Sequence, residues 1–254
     1  MDRRFSRGFQ VTASYTWSKS LDSTSEGIGG IETQYVMNNL TSMPPAQGGL
    51  KLDRGPSDFD RSQRLVLSYL WEIPGPSQHF LKHVAGGWSI AGITTFQSGT
   101  PYTVQSGFDR NGDGWPGDRP DISNPLAPRN SRAVLSPSCA TGYSNPDTLA
   151  CINPSAAYWV QGTGFPNAST GGRNTLFTNG TNNFDLTLFK SFAIHERRRL
   201  EFRGEALNAF NHPQFVQMPA LLRNVVNTLP GRFLNRDYTE SGIRSMWVQM
   251  KVIF

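Results

Sequence analysis

No stretch of the 254 residues approaches the roughly 18 consecutive apolar residues that a membrane-spanning helix requires, so a helical membrane protein is excluded. Hydrophobic residues make up only 37% and mean hydropathy is −0.42, too little for an extensive continuous core. Charge of one sign is missing as well. The 24 Lys and Arg are scattered among 19 Asp and Glu, and the densest run is Arg197, Arg198 and Arg199, so the net charge of +5 does not mark a nucleic-acid surface. There is no GxSxG elbow, Walker loop, dinucleotide fingerprint or HExxH, and no residue is expected to be catalytic. Met1-Asp2-Arg3-Arg4-Phe5 has the charge that opens an export signal without the apolar stretch that should follow.

Cysteine is nearly absent. Cys139 and Cys151 lie close together in a Ser, Pro, Asn and Gly-rich stretch with no neighbouring histidine, which argues against zinc. A loop-closing disulfide in an oxidising compartment is the favoured reading, and two unrelated thiols the alternative. His79 and His83 would share a helix face but lack a third metal ligand, so they read as surface residues. His195 and His212 are isolated, the latter a candidate loop-capping residue in the Asn211-His212-Pro213 turn.

What the chain does have is glycine, proline and a period of two, the composition and pattern of an all-β protein. Phe9, Val11, Ala13, Tyr15 and Trp17 alternate with Gln10, Thr12, Ser14, Thr16 and Ser18. The alternation returns to predict six strands, near 8–19, 63–73, 88–104, 183–194, 199–210 and 244–254. Val66, Leu70, Ile93, Phe189, Trp247 and Ile253 interrupt the polar sides, and Lys190 interrupts an apolar one. In the fifth strand Leu200, Phe202, Gly204, Ala206 and Phe210 face one way, while Arg199, Glu201, Arg203 and Glu205 form a fully charged opposite face.

The connections alternate in length. Ser20 to Gln63, Gln105 to Asn182 and Asn211 to Arg244 are long, whereas Pro74 to Gly87 is moderate and His195 to Arg198 tight. Alternation alone also suits a soluble β-sandwich. Long loops at one end, short ones at the other, and aromatics near strand ends (Tyr15, Trp17, Trp71, Trp88, Phe192, Phe210 and Phe254) favour an antiparallel transmembrane β-barrel.

Three segments carry a more specific signal. They are Arg54-Gly55-Pro56-Ser57-Asp58-Phe59-Asp60-Arg61, the run from Gly87 to Pro101 (GWSIAGITTFQSGTP), and the run from Phe202 to Pro213 (FRGEALNAFNHP). Together they resemble the C-terminal barrel of Oar-like TonB-dependent outer-membrane receptors, a group abundant in Acidobacteria. The last residues, Trp247 to Phe254, resemble the terminal aromatic signal read by the barrel-assembly machinery. The resemblance implies outer-membrane localisation, a 22-stranded barrel around a plug domain, and energy supplied through that plug by the TonB complex. Because six strands are fewer than the roughly eight that close a membrane barrel, the chain reads as the last six strands of a larger receptor.

The resemblance also implies roles for the residues. Arg199, Glu201, Arg203 and Glu205 would face the lumen, against the plug or a permeation path, with cross-strand ion pairing as the simpler account. Trp247 and Phe254 would carry the assembly signal. From position alone, Asp53, Arg54, Asp58, Asp60 and Arg61 form a dense polar cluster just before the second strand and read as bracing the base of an outer loop. Independently of the family, Asp109, Asn111, Asp113 and Asp118, with Asp121 beyond, space oxygens as at the start of a calcium loop. Pro120 occupies the position where an EF-hand needs glutamate, leaving a simpler calcium turn or a solvated loop. No other cofactor is expected. Expected partners are outer-membrane lipid, the assembly machinery, the plug and an unknown ligand whose class the sequence does not reveal. A surface adhesion or structural protein without transport is the second reading, and a secreted β-sandwich the third.

Overall fold

The computed structural model describes residues 2–6, 8–23, 25, 49–75, 86–110, 118–162, 170–195, 198–215, 220–235 and 239–253. Seven strands form one antiparallel sheet: β1 Asp2–Ser6, β2 Phe9–Trp17, β3 Gln63–Glu72, β4 Trp88–Gln97, β5 Thr181–His195, β6 Arg198–Leu207 and β7 Ser245–Ile253. Each pairs with its neighbour in chain order, an up-and-down meander.

Four expectations are corrected. The sheet has seven strands rather than six, because Asp2–Ser6, read only as charged, pairs back on β2 with Asp2 opposite Thr12 and Ser6 opposite Phe9. The strand expected over 88–104 stops at Gln97, and Pro101–Tyr102 pairs instead with Leu176–Phe177. Here Gly99 lets the chain turn against Thr178, where a Cβ would lie 2.0 Å from the carbonyl oxygen. The strand expected over 199–210 stops at Leu207, because Asn208 adopts φ 48 and ends the extended run. The side chain of Asn208 then bonds the His212 and Gly242 carbonyls at 2.7 and 2.6 Å, so Asn208, not His212, caps this turn.

Register sorts the side chains, since directly opposed residues share a face and a slip of one residue would exchange the faces. One row across the sheet reads Val11, Tyr69, Gly92, Leu186, Ala206 and Met246; the next reads Phe9, Trp71, Ile90, Leu188, Gly204 and Val248. On the other face a row reads Gln10, Leu70, Ala91, Thr187, Glu205 and Trp247. All six residues that break the polar periodicity lie on this second face.

The long-loop end carries a separately packed assembly of the described residues of the outer connections between 18 and 62, 98 and 180, and 208 and 244. It contains a small sheet of Asp121–Ile122, Arg132–Leu135, Tyr143–Ser144 and Trp159–Val160. Its core joins Tyr102, Val104, Trp159 and Leu176 to Leu222, Val225 and Phe233. Among the described residues, every buried apolar side chain belongs to this assembly and none to the seven-stranded sheet. The sheet therefore has no protein core, and its apolar face needs a non-aqueous surrounding.

Gly92 shows how closely that face is fitted. The ring of Tyr69 lies over it, and its hydroxyl is 3.3 Å from the Thr94 hydroxyl, which satisfies a polar group on an otherwise apolar surface. A Cβ at position 92 would stand 2.6 Å from the ring. Gly92→Ala is expected to cost about 1–3 kcal/mol by overpacking, more than Tyr69→Phe, which loses one neutral hydrogen bond worth about 1 kcal/mol. Urea midpoints in lipid vesicles check this, and a neutral Gly92→Ala contradicts the packing described.

Candidate functional site

Two surfaces have functional potential: the polar face of the sheet and the outer assembly above it. On the polar face, Arg199, Glu201, Arg203 and Glu205 project together from β6. Glu201 stands opposite Lys251, and Arg203 makes an ion pair with Glu205 two residues along the same strand. The face is not uniformly charged, however. Ile93, Leu207 and Trp247 are 50%, 45% and 44% exposed on it; Ile93 and Leu207 line a shallow hollow with Ser68, Asp185, Thr187 and Glu205, and Trp247 stands opposite Glu205. Trp247 thus belongs to the polar face, opposite Glu205, while Phe254 lies outside the described residues.

The apolar face ends in aromatic rings at both margins. At the long-loop margin Phe184 packs edge-on against Phe96 and Phe210, with centroids 5.6 and 5.0 Å apart, and Tyr15 and Trp17 extend the belt. His212 joins this cluster, its ring 5.6 Å from Phe184. At the short-turn margin stand Phe9, Trp71, Trp88, Phe192 and Phe202, with Trp88 and Phe202 edge to face at 5.8 Å. Lys190 is held there, its ammonium 5.3 Å from the Trp88 ring and 4.5 Å from Phe192. From Trp88 to Phe96 the strand rises about 27 Å, or about 20 Å once tilted as barrel strands are. That spacing suits the height of a hydrocarbon layer between two interfacial girdles.

Charge organises the outer assembly. Arg119 bonds Asp53 at 2.9 Å, with both side chains almost fully buried, and also the Leu52 carbonyl at 3.0 Å. Arg173 reaches Asp22 at 2.6 Å, the Ser25 hydroxyl and, at 3.8 Å, Asp58. Arg132 bonds Asp147 at 2.6 Å and the Val225 carbonyl at 3.0 Å, and lies 4.5 Å above the Phe233 ring. Asn174, at φ 53, ties the connections further: its side chain accepts from Thr103 and donates to the Pro56 carbonyl and Asp58. Asp60 accepts from the Ser20 backbone at 2.9 Å. Asp53, Asp58 and Asp60 are thus built into the base of the first connection, whereas Arg54 is exposed.

Arg223 is the outlier. It is fully buried, its three guanidinium nitrogens have no hydrogen-bond partner among the described residues, and burial pushes its pKa down to about 10, with the Asp58 charge opposing.

Periodicity gave no hint of Arg119, Arg132, Arg173 or Asn174, which lie in the long outer connections. Their only sequence signal is cationic residues embedded in long Gly and Pro-rich connections, with acids elsewhere to match.

The other residues singled out by sequence are dispersed. Asp118 is buried and accepts from the Arg110 backbone; Asp121 makes an ion pair with Arg110 at 3.0 Å and accepts from the Thr170 backbone. Asn111 and Asp113 lie outside the described residues, as do His79, His83 and the His195 side chain. Among the described residues, no three His, Cys, Asp or Glu side chains converge on a metal position. Cys139 and Cys151 are joined by a disulfide with Cα atoms 5.5 Å apart, clamping the hairpin that presents Tyr143–Ser144.

The Asp22 carboxyl links the first and second connections. Burial raises its pKa, but hydrogen bonds from Ser25, Arg173 and Ser57 and the Arg173 charge outweigh that, leaving it below the ordinary 3.8. A depressed carboxyl contributes stability that is complete above the unfolded pKa and is lost as pH falls through the folded one. The assembly is therefore expected to hold its stability from neutrality to about pH 4 and to lose it below. Asp22→Asn is expected to cost about 2 kcal/mol at neutral pH and to flatten the acid limb. Urea midpoints taken from pH 7 to 2 test both, and an unchanged acid limb in Asp22→Asn contradicts the assignment.

No curated protein and no solved structure matches the chain. Residues 1–230 match the family model for an outer membrane beta barrel domain. The apolar face without a protein core, the paired aromatic margins and the loop-bearing end are the features such a wall requires. The chain belongs to the outer membrane β-barrel domain family, and its place is the outer membrane.

Proposed function

We propose that the chain forms the C-terminal wall of a TonB-dependent, Oar-like receptor that takes up a ligand through an energy-coupled plug. The observation carrying this reading is the exposure of three large apolar side chains, Ile93, Leu207 and Trp247, on the polar face. A wall lining only a water-filled channel gains nothing from half-exposed Ile, Leu and Trp side chains, whereas a wall packed on a folded plug buries them. At about 25 cal/mol per Å² of apolar surface, covering these side chains stabilises by several kcal/mol. The surrounding Arg203, Glu205, Glu201 and Lys251 supply a charged rim able to fix the plug's orientation.

The sheet's edges support a larger barrel. β1 and β7 each have one partner among the described strands, and an unpaired edge in hydrocarbon costs several kcal/mol for each unsatisfied backbone group. Further strands of the same receptor, 22 in the full barrel, would satisfy both edges. In that setting the outer assembly is the ligand-facing end, and the chain contributes binding and gating rather than catalysis.

Two measurements test this. Translating the genome in frame upstream of Met1 is expected to reveal further alternating strands, a plug and a TonB box. A photo-crosslinking residue at Ile93 is expected to join the wall to the plug of the same polypeptide. A gene encoding no plug, together with no internal crosslink from Ile93, rejects transport in favour of a surface adhesion or structural role.

A further inference from the structure

We propose that a hollow between the second and third outer connections binds a small acidic sugar, a ring bearing a carboxylate. This deepens the receptor reading above and rests on it for biological purpose, though not for its physical basis. The hollow has a volume of about 490 Å³, within the roughly 300–1,000 Å³ of small-molecule sites. Its floor is apolar, formed by Tyr102 and Leu176 from the assembly's core and by Leu234.

The floor and one wall are held rigidly. Leu234 adopts φ 54, a conformation that strains a bulky side chain, and its N–H is tied to the Leu222 carbonyl at 2.8 Å. Thr175 on the rim directly follows Asn174, whose side chain and backbone are bonded to Thr103, Pro56 and Asp58. The rim is thus presented in a fixed geometry before any ligand arrives, which lowers the ordering cost of binding.

The chemistry of the rim selects the ligand. Arg129, Asn130, Thr175 and Phe177 are all exposed around the hollow, and among the described residues no Asp or Glu lines it. The Arg129 guanidinium lies 5.9 Å over the Tyr158 ring and makes no ion pair among the described residues. Its backbone is anchored by the Trp159 indole, which donates to the Arg129 carbonyl at 2.8 Å. A guanidinium held by a ring face keeps its planar fork available for a carboxylate. Asn130 and Thr175 offer a carboxamide and a hydroxyl for ring hydroxyls, and the exposed face of Phe177 suits the C–H face of a sugar. A neutral sugar would leave the cation unmatched, and a purely apolar acid would leave Asn130 and Thr175 without partners.

Galacturonate, galactose and benzoate are the probes, titrated into outer-membrane vesicles carrying the protein and followed by saturation-transfer difference NMR. Vesicles lacking the protein give the baseline. Galacturonate is expected to bind about tenfold more tightly than galactose, a difference of about 1.4 kcal/mol. Arg129→Gln, an exposed substitution, is expected to bring the two sugars level while the vesicle content and protease resistance of the protein stay unchanged. Phe177→Ala is expected to weaken both sugars. Equal binding of the sugars by the unaltered protein, a preference that survives Arg129→Gln, tighter Arg129-dependent binding of benzoate, or no binding at all would each overturn the assignment. Binding to vesicles needs no energy source, so failure here leaves the plug crosslink at Ile93 unaffected, and failure of that crosslink leaves the binding result standing.

Discussion

The antiparallel register of the seven strands is the constraint on which the rest depends. In hydrocarbon every backbone N–H and C=O must be paired within the protein, so each strand must meet its neighbours along its length. Once that pairing is fixed, the two-residue period decides which side chains meet lipid. The row Val11, Tyr69, Gly92, Leu186, Ala206 and Met246 is uniformly suited to lipid except for the Tyr69 hydroxyl, and Thr94 satisfies that group. A slip of one residue would bring Leu70, Ala91, Thr187, Glu205 and Trp247 into its place, exposing a carboxylate to the bilayer. Register and burial therefore specify each other without any protein core in the sheet.

The outer assembly obeys different physics. Its few buried apolar residues are outnumbered by buried polar and charged ones, and Arg119, Arg132 and Arg173 each join a different pair of segments. Buried ion pairs contribute little net stability because desolvation offsets much of the Coulomb attraction. Breaking one is costly all the same, since the surviving charge stays buried, typically about 3–5 kcal/mol. Such pairs fix how the connections fit together more than they drive their collapse. The disulfide between Cys139 and Cys151 adds a covalent restraint to a hairpin with little core of its own.

The sheet was largely legible in the sequence, and the assembly was not. Alternation located six of the seven strands because each has one lipid-facing side. Asp2–Ser6 escaped because its pairing, rather than any alternation of apolar residues, makes it a strand. The six residues that interrupt the polar periodicity looked like noise, yet register places all of them on one face of the sheet. Sequence cannot show this without the pairing, because a face exists only across strands. The acids Asp53, Asp58 and Asp60 stood out as a cluster, but their partners lie more than a hundred residues away in some cases, as with Asn174 and Asp58. Spacing rules have no purchase on contacts of that range.

Arg223 and Asp58 show what a polar-cored assembly implies for movement. Among the described residues, the guanidinium of Arg223, in the third connection, has no hydrogen-bond partner, and neither does the second carboxylate oxygen of Asp58, in the first. The Asp58 charge acts on Arg223 through space, while Asp58 is already committed through its other oxygen to Asn174 and Arg173 in the second connection. The first and second connections thus meet at this carboxylate, and its charge reaches Arg223 in the third. An apolar core resists opening because water gains nothing by entering it; a seam of charges with unsatisfied donors loses much less when hydrated. On the transport reading, an outer end built this way would keep a defined closed geometry and still yield to water once its shared carboxylate is displaced. A hydrophobic seal of the same size would not.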